Sequence, residues 1–101
     1  MNKYYNLSLI FPVLNERKNL EILIPQFYKF LIQNINDFEL IIVDDNSTDG
    51  TREYVESLKI ELKKIVYINR QENNSLPLSI LEGIDNAKYD NIAWLDADGS
   101  M

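Results

Sequence analysis

The chain has 101 residues, enough for one domain that buries roughly two-thirds of its unfolded surface. Its 10 basic and 16 acidic side chains leave a net charge of -6, which argues against nucleic acid as a partner. Without cysteine or histidine, disulfides, thiolate metal sites and Ser-His or Cys-His nucleophile pairs are excluded, so any metal would be a hard, oxygen-bound ion such as Mg²⁺ or Mn²⁺.

After Met1 to Tyr5, the apolar stretch Leu7 to Phe11 ends at Pro12 and predicts a first strand. It is too short for a signal-peptide core or a membrane span, and the chain reads as cytoplasmic. From Glu16, Leu20, Leu23, Ile24, Phe27, Phe30 and Leu31 recur at spacings of three and four, the pattern of an amphipathic helix. Pro25 inside it predicts a kink or a late start. Phe38 to Val43 is apolar on both faces after Glu39, as befits a central parallel strand.

Ser47, Thr48 and Asp49 are candidate N-caps for a second helix that turns Tyr54, Val55, Leu58 and Leu62 to the sheet. Ile65 to Ile68 predicts a third strand. Ser75 with Leu76-Pro77 opens a third helix, whose buried side is expected to carry Ile80, Leu81, Ile84 and Ala87. Gly83 marks a close helix-sheet contact, and Asn91 to Leu95 predicts the fourth strand. The aromatic residues Phe27, Phe30, Tyr54, Tyr67 and Trp94 read as packing. The result is an α/β domain, β-α-β-α-β-α-β, with a Rossmann-like, doubly wound parallel sheet in the order 3-2-1-4.

In such sheets ligands bind beyond the carboxyl ends of the strands. Three polar clusters fall at that edge: Pro12 to Glu16, Asp44-Asp45, and Asp96-Ala97-Asp98. Asp96 and Asp98, at i and i+2 on an extended segment, point the same way and can share one octahedral cation, leaving positions for phosphate oxygens. Such an ion would neutralise a departing diphosphate. Asp44 and Asp45 face opposite sides, so one is expected to accept from a nucleoside while the other orients the following loop. Glu16 reads equally as a pocket residue or as a favourable charge in a first helical turn. Arg70 could contact phosphate or base, but by itself reads as a solvated side chain. Neither G-x-G-x-x-G nor G-K-[ST] occurs, so phosphate would be held through metal rather than a glycine cradle.

Together, FPVLNE, IIVDDNSTDGT and WLDADGSM resemble the inverting family 2 glycosyltransferases of the GT-A fold, nearest to the branch that charges polyprenyl or dolichyl phosphate with mannose or glucose. The resemblance runs from about Leu7 to Met101. It implies a nucleotide-sugar donor of the GDP-mannose or UDP-glucose type and a polyprenyl phosphate acceptor. Pro12, Leu14 and Glu16 would line the nucleoside pocket, Asp45 would hold the base, and Asp44 would lie near the ribose or base. Asp96 and Asp98 would hold Mg²⁺ or Mn²⁺ with the diphosphate, and Ala97 would back the sugar nucleotide.

Ser100 stands where some members place a further metal contact, and Ser75-Leu76-Pro77-Leu78 departs from a stretch that usually contains glycine. The resemblance also implies that residues 1–101 are the N-terminal, donor-binding half of the catalytic domain. The catalytic base and acceptor loop would then lie beyond Met101, with a parent at the cytoplasmic face of a membrane. The isolated chain is expected to bind donor weakly at best and not to transfer sugar, and to form a dimer through an exposed sheet edge near Trp94. Two alternatives stand beside this reading. One is a non-catalytic nucleotide-binding module. The other is a phospho-acceptor receiver domain, whose acidic pair follows the first strand rather than the second.

Overall fold

The computed structural model describes residues 5–71 and 75–97. Four strands, β1 (Asn6–Val13), β2 (Asp37–Asp44), β3 (Ile65–Asn69) and β4 (Ile92–Trp94), alternate with three helices, α1 (Arg17–Asn34), α2 (Thr51–Leu58) and α3 (Leu76–Asp85). All pairings are parallel and the order is β3-β2-β1-β4, as the alternation predicts.

Strand alternation sends side chains to two layers. Leu9, Phe11 and Val13 of β1 join Leu40 and Ile42 of β2 beneath Leu20, Ile24, Tyr28 and Leu31 of α1 and Val55 of α2. Ile10, Ile41 and Val43 face the other way, where Val66, Ile68 and Ala87 pack with them and α3 crosses the sheet. Tyr54 and Leu58 lie against the first layer, as their spacing predicts, and so does Leu62, although α2 ends at Leu58 and Leu62 follows it in the connection to β3.

Helix α1 starts at Arg17 and runs through Pro25 without the late start that proline suggested. Pro25 lies on the exposed face, and so does Glu21, whose carbonyl loses its partner there and is open to water. Helix α3 differs from expectation in which face it buries. Ser79 and Gly83 are buried, whereas Leu81 and Ile84 are 54% and 40% exposed. The reason is proximity: a Cβ added at Gly83 would lie 2.7 Å from Ile10 Cγ2, so the helix rides on its small residues and its leucines turn outward. Trp94 and Phe30, read as packing, are also exposed, because β4 is an edge strand and Phe30 sits on the outer face of α1.

A polar network closes the amino end of the sheet. Glu39 is buried and accepts from Ser8 Oγ at 2.7 Å and from the Lys88 N–H; Ser8 Oγ in turn accepts the Tyr89 N–H at 3.1 Å. Those bonds tie the α3–β4 connection to the central strands, which fixes where β4 delivers Asp96 and Ala97.

Candidate functional site

At the carboxyl edge, the β1–α1 and β2–α2 loops are laced together. Asn15 donates its backbone N–H to Ser47 Oγ at 2.8 Å, and its side-chain oxygen accepts the Thr48 N–H at 2.8 Å. Asn15 (φ 53°) and Asn46 (φ 66°) hold the left-handed turns this requires, a conformation asparagine tolerates better than most residues. Asp49 joins both helix starts. One oxygen accepts the Arg17 N–H at 3.0 Å, and the other accepts the Thr51 N–H at 3.1 Å together with the Thr51 hydroxyl. Desolvation pushes the Asp49 carboxyl up, but those hydrogen bonds outweigh it and hold the group below the usual carboxylate range. Asp49 is therefore the capping acceptor among the three candidates, acting across Gly50, whose φ of 88° lets the chain turn into α2.

The acidic pair divides as strand geometry requires. Asp44 is fully buried on the α1/α2 side. One of its oxygens accepts from the Ser47 N–H (2.9 Å) and hydroxyl, and the other accepts from the Tyr67 hydroxyl at 2.6 Å. Burial, followed by the bond to Asp44, pushes the Tyr67 hydroxyl pKa well above its usual value. Asp44 thus shapes the loop, and it stands apart from the cleft.

Asp45 points to the α3 side. Its Oδ1 accepts from Arg70 Nη1 at 3.1 Å, with both side chains about nine-tenths buried. Arg70 also reaches Ser79 Oγ and Glu82 Oε1, each at 3.4 Å. The reading of Arg70 as a solvated side chain is corrected: it is the cation that balances Asp45. The signal was available in the topology. Asp44 pairs in register with Asn69, so the next residues along β2 and β3, Asp45 and Arg70, emerge side by side. Ser79 and Glu82 carried no such signal, since their roles depend on which face α3 buries.

Between the ends of β1 and β4 and the start of α3 lies a cleft of about 180 Å³. Pro12, Leu14, Glu16, Asp45, Asp96 and Ala97 line it, together with Val13, Leu76 and Ser79. Ala97 is buried, while Leu14 is 48% exposed at the mouth. Glu16 precedes α1 and accepts from the Asn19 side chain at 2.7 Å, so it serves the first turn as well as the cleft wall. Seven of the eight residues singled out for donor binding are described. Six of them meet in this cleft, and Asp44 supports the loop beside it.

Asp98, the eighth, and Ser100 lie outside the described residues. Asp96 offers the hard oxygen donor a Mg²⁺ or Mn²⁺ ion prefers, as does Asp45 across the cleft. Among the described residues no group of three carboxylates could by itself hold an ion. None of the helices among them is long and apolar enough to cross a membrane.

The pattern described as glycosyl transferase family 2 matches residues 8–101. The chain is similar to the undecaprenyl-phosphate 4-deoxy-4-formamido-L-arabinose transferase of Aeromonas hydrophila, with 32% identity over 92 residues, 90% of this chain and 28% of the relative. It is also similar to the dolichol-phosphate mannosyltransferase of Pyrococcus furiosus, with 34% identity over 91 residues, 90% of this chain and 25% of that protein. The chain therefore spans less than a third of the length of either relative.

Among solved structures, the mannosyltransferase PcManGT of Pyrobaculum calidifontis, in complex with GDP-Man and Mn²⁺, superposes with a TM-score of 0.79. That match has 20% identity and covers 96% of this chain and 29% of the other. S. aureus TarS 1-349 superposes with a TM-score of 0.76 at 24% identity, covering 93% of this chain and 28% of the other. At these identities the superpositions show the shared fold. From the family match, the chain belongs to glycosyl transferase family 2.

Proposed function

We propose that this chain is the donor-binding part of a glycosyltransferase that moves a sugar from a nucleoside diphosphate sugar, of the GDP-mannose or UDP-glucose type, to a polyprenyl phosphate. The observation that carries the reading is the convergence of Pro12, Leu14, Glu16, Asp45, Asp96 and Ala97, distant in sequence, on one cleft at the carboxyl edge of the sheet. In this reading Asp45, held by Arg70, accepts from the nucleoside. Asp96 with Asp98 holds Mg²⁺ or Mn²⁺ against the diphosphate, and Ala97 lies under the sugar nucleotide.

The acceptor assignment rests on the two relatives named for undecaprenyl phosphate and dolichol phosphate. The bound ion would supply charge for the departing diphosphate. Transfer also needs a base for the acceptor proton, a contribution of about 10²–10⁴-fold, and we assign that role to none of residues 5–97. Ile92 and Trp94, 39% and 46% exposed on the edge strand, support self-association there; a strictly monomeric species in light scattering would remove that part.

Equilibrium dialysis of GDP-mannose and UDP-glucose with and without Mn²⁺ tests the reading. Asp98→Asn is expected to abolish the metal-dependent part of binding while Glu53→Gln, on the outer face of α2, leaves it intact. Equal effects of the two substitutions would contradict the metal assignment. Asp49 is no suitable control, because it caps two helices beside the cleft.

A further inference from the structure

Among the described residues, the guanidinium of Arg70 reaches two carboxylates. Its Nη1 donates to Asp45 Oδ1 at 3.1 Å and to Ser79 Oγ at 3.4 Å, while its Nε donates to Glu82 Oε1 at 3.4 Å. An arginine facing one carboxylate commonly closes a fork of two parallel N–H groups on both oxygens. The contact here stays on one oxygen: among the described residues, Asp45 Oδ2 receives no hydrogen bond. Glu82 itself does not line the cleft and is 43% exposed on α3, so it acts from outside.

We propose that Glu82 is a positioning residue for the donor nucleoside. By holding Nε it fixes the guanidinium plane and keeps Arg70 from closing a fork on Asp45, so that Asp45 Oδ2 stays available to a nucleoside N–H. Ser79 supports the same orientation from the buried side of α3. The inference rests on the reading of the cleft as a nucleoside site. It adds that nucleoside affinity is set partly from a helix position that never touches the ligand.

The test measures GDP and UDP binding, in Mn²⁺, to the full chain and to Glu82→Ala, Glu82→Gln, Asp45→Asn and the double variant Asp45→Asn/Glu82→Ala. Glu82→Ala is expected to weaken the nucleotide that the wild type binds by about 5- to 20-fold, the scale of one compromised charge-assisted hydrogen bond. Glu82→Gln keeps an acceptor for Nε and recovers part of that loss. In the Asp45→Asn background, Glu82→Ala adds nothing further, because its effect runs through Asp45. An unchanged affinity in Glu82→Ala, or a loss that adds in full to that of Asp45→Asn, overturns the proposal.

Failure of the wild type to bind either nucleotide would sink the nucleoside reading instead. The clamp is then read without ligand, from exchange of the Arg70 Nε–H in ¹⁵N spectra. Exchange at least about 10-fold faster in Glu82→Ala upholds the anchoring of the guanidinium, and an unchanged rate overturns it.

Discussion

Gly83 on α3 lies close over Ile10 on β1: a Cβ at Gly83 would come within 2.7 Å of Ile10 Cγ2. Ile10 is fully buried on a strand paired on both sides, so it has nowhere to move. Alanine would gain up to about 1 kcal/mol of helix propensity over glycine. The overpacking costs more, about 1–3 kcal/mol. Gly83→Ala is therefore expected to lower unfolding free energy by about 1–2 kcal/mol in urea titration. A stabilised variant would show that α3 can lift from the sheet without loss.

Asp49 links the starts of α1 and α2, so Asp49→Ala should cost about 1–2 kcal/mol at pH 7, the scale of a lost cap. Its pKa is depressed on folding, so its stabilisation is present above the unfolded carboxyl value, about 3.9, and fades as pH falls through the lower folded value. The difference between wild type and Asp49→Ala should accordingly shrink below about pH 4 in denaturant titrations. A difference that stays constant down to pH 2 would mean the carboxylate is not the acceptor.

Tyr67 donates to the fully buried carboxylate of Asp44. Tyr67→Phe leaves that oxygen one donor short at constant shape and should cost about 1–3 kcal/mol. If urea titration gives a change below about 0.5 kcal/mol, the loop does not depend on this bond.

The order of the sheet, both helical layers and the location of the cleft were legible because strand and helix periods alternate without ambiguity along the chain. Gly83 was legible for the same reason, as a residue without a side chain in an apolar helical stripe. The burial of Arg70 was not, although the adjacency of β2 and β3 contained it: reading it required carrying the Asp44–Asn69 register one residue further. Leu81 and Ile84 misled because hydrophobic periodicity names a stripe without saying which edge of it touches the sheet. That edge was decided by the close approach at Gly83. The opposite facing of Asp44 and Asp45 followed from strand alternation, but which of the two faces the cleft depended on the side α3 covers.

Arg70 and Asp45 are each about nine-tenths buried, so removing Arg70 strands the Asp45 carboxylate. Arg70→Ala is expected to destabilise by about 3–5 kcal/mol, more than a surface ion pair would. Arg70→Ala/Asp45→Ala should recover part of that loss. A double variant no more stable than Arg70→Ala would indicate that the pair is too well hydrated to count as buried.

The most direct measurement of the central claim is paramagnetic relaxation by Mn²⁺ in the presence of a nucleoside diphosphate, read residue by residue in ¹⁵N spectra of the chain. The account predicts that signals of Asp96 and Ala97 broaden first, followed by Leu14, Glu16 and Asp45 across the same cleft, with Lys63, Lys64 and Lys88 at the opposite end of the sheet untouched. Broadening centred on that opposite end, or no nucleotide-dependent broadening at all, would contradict it.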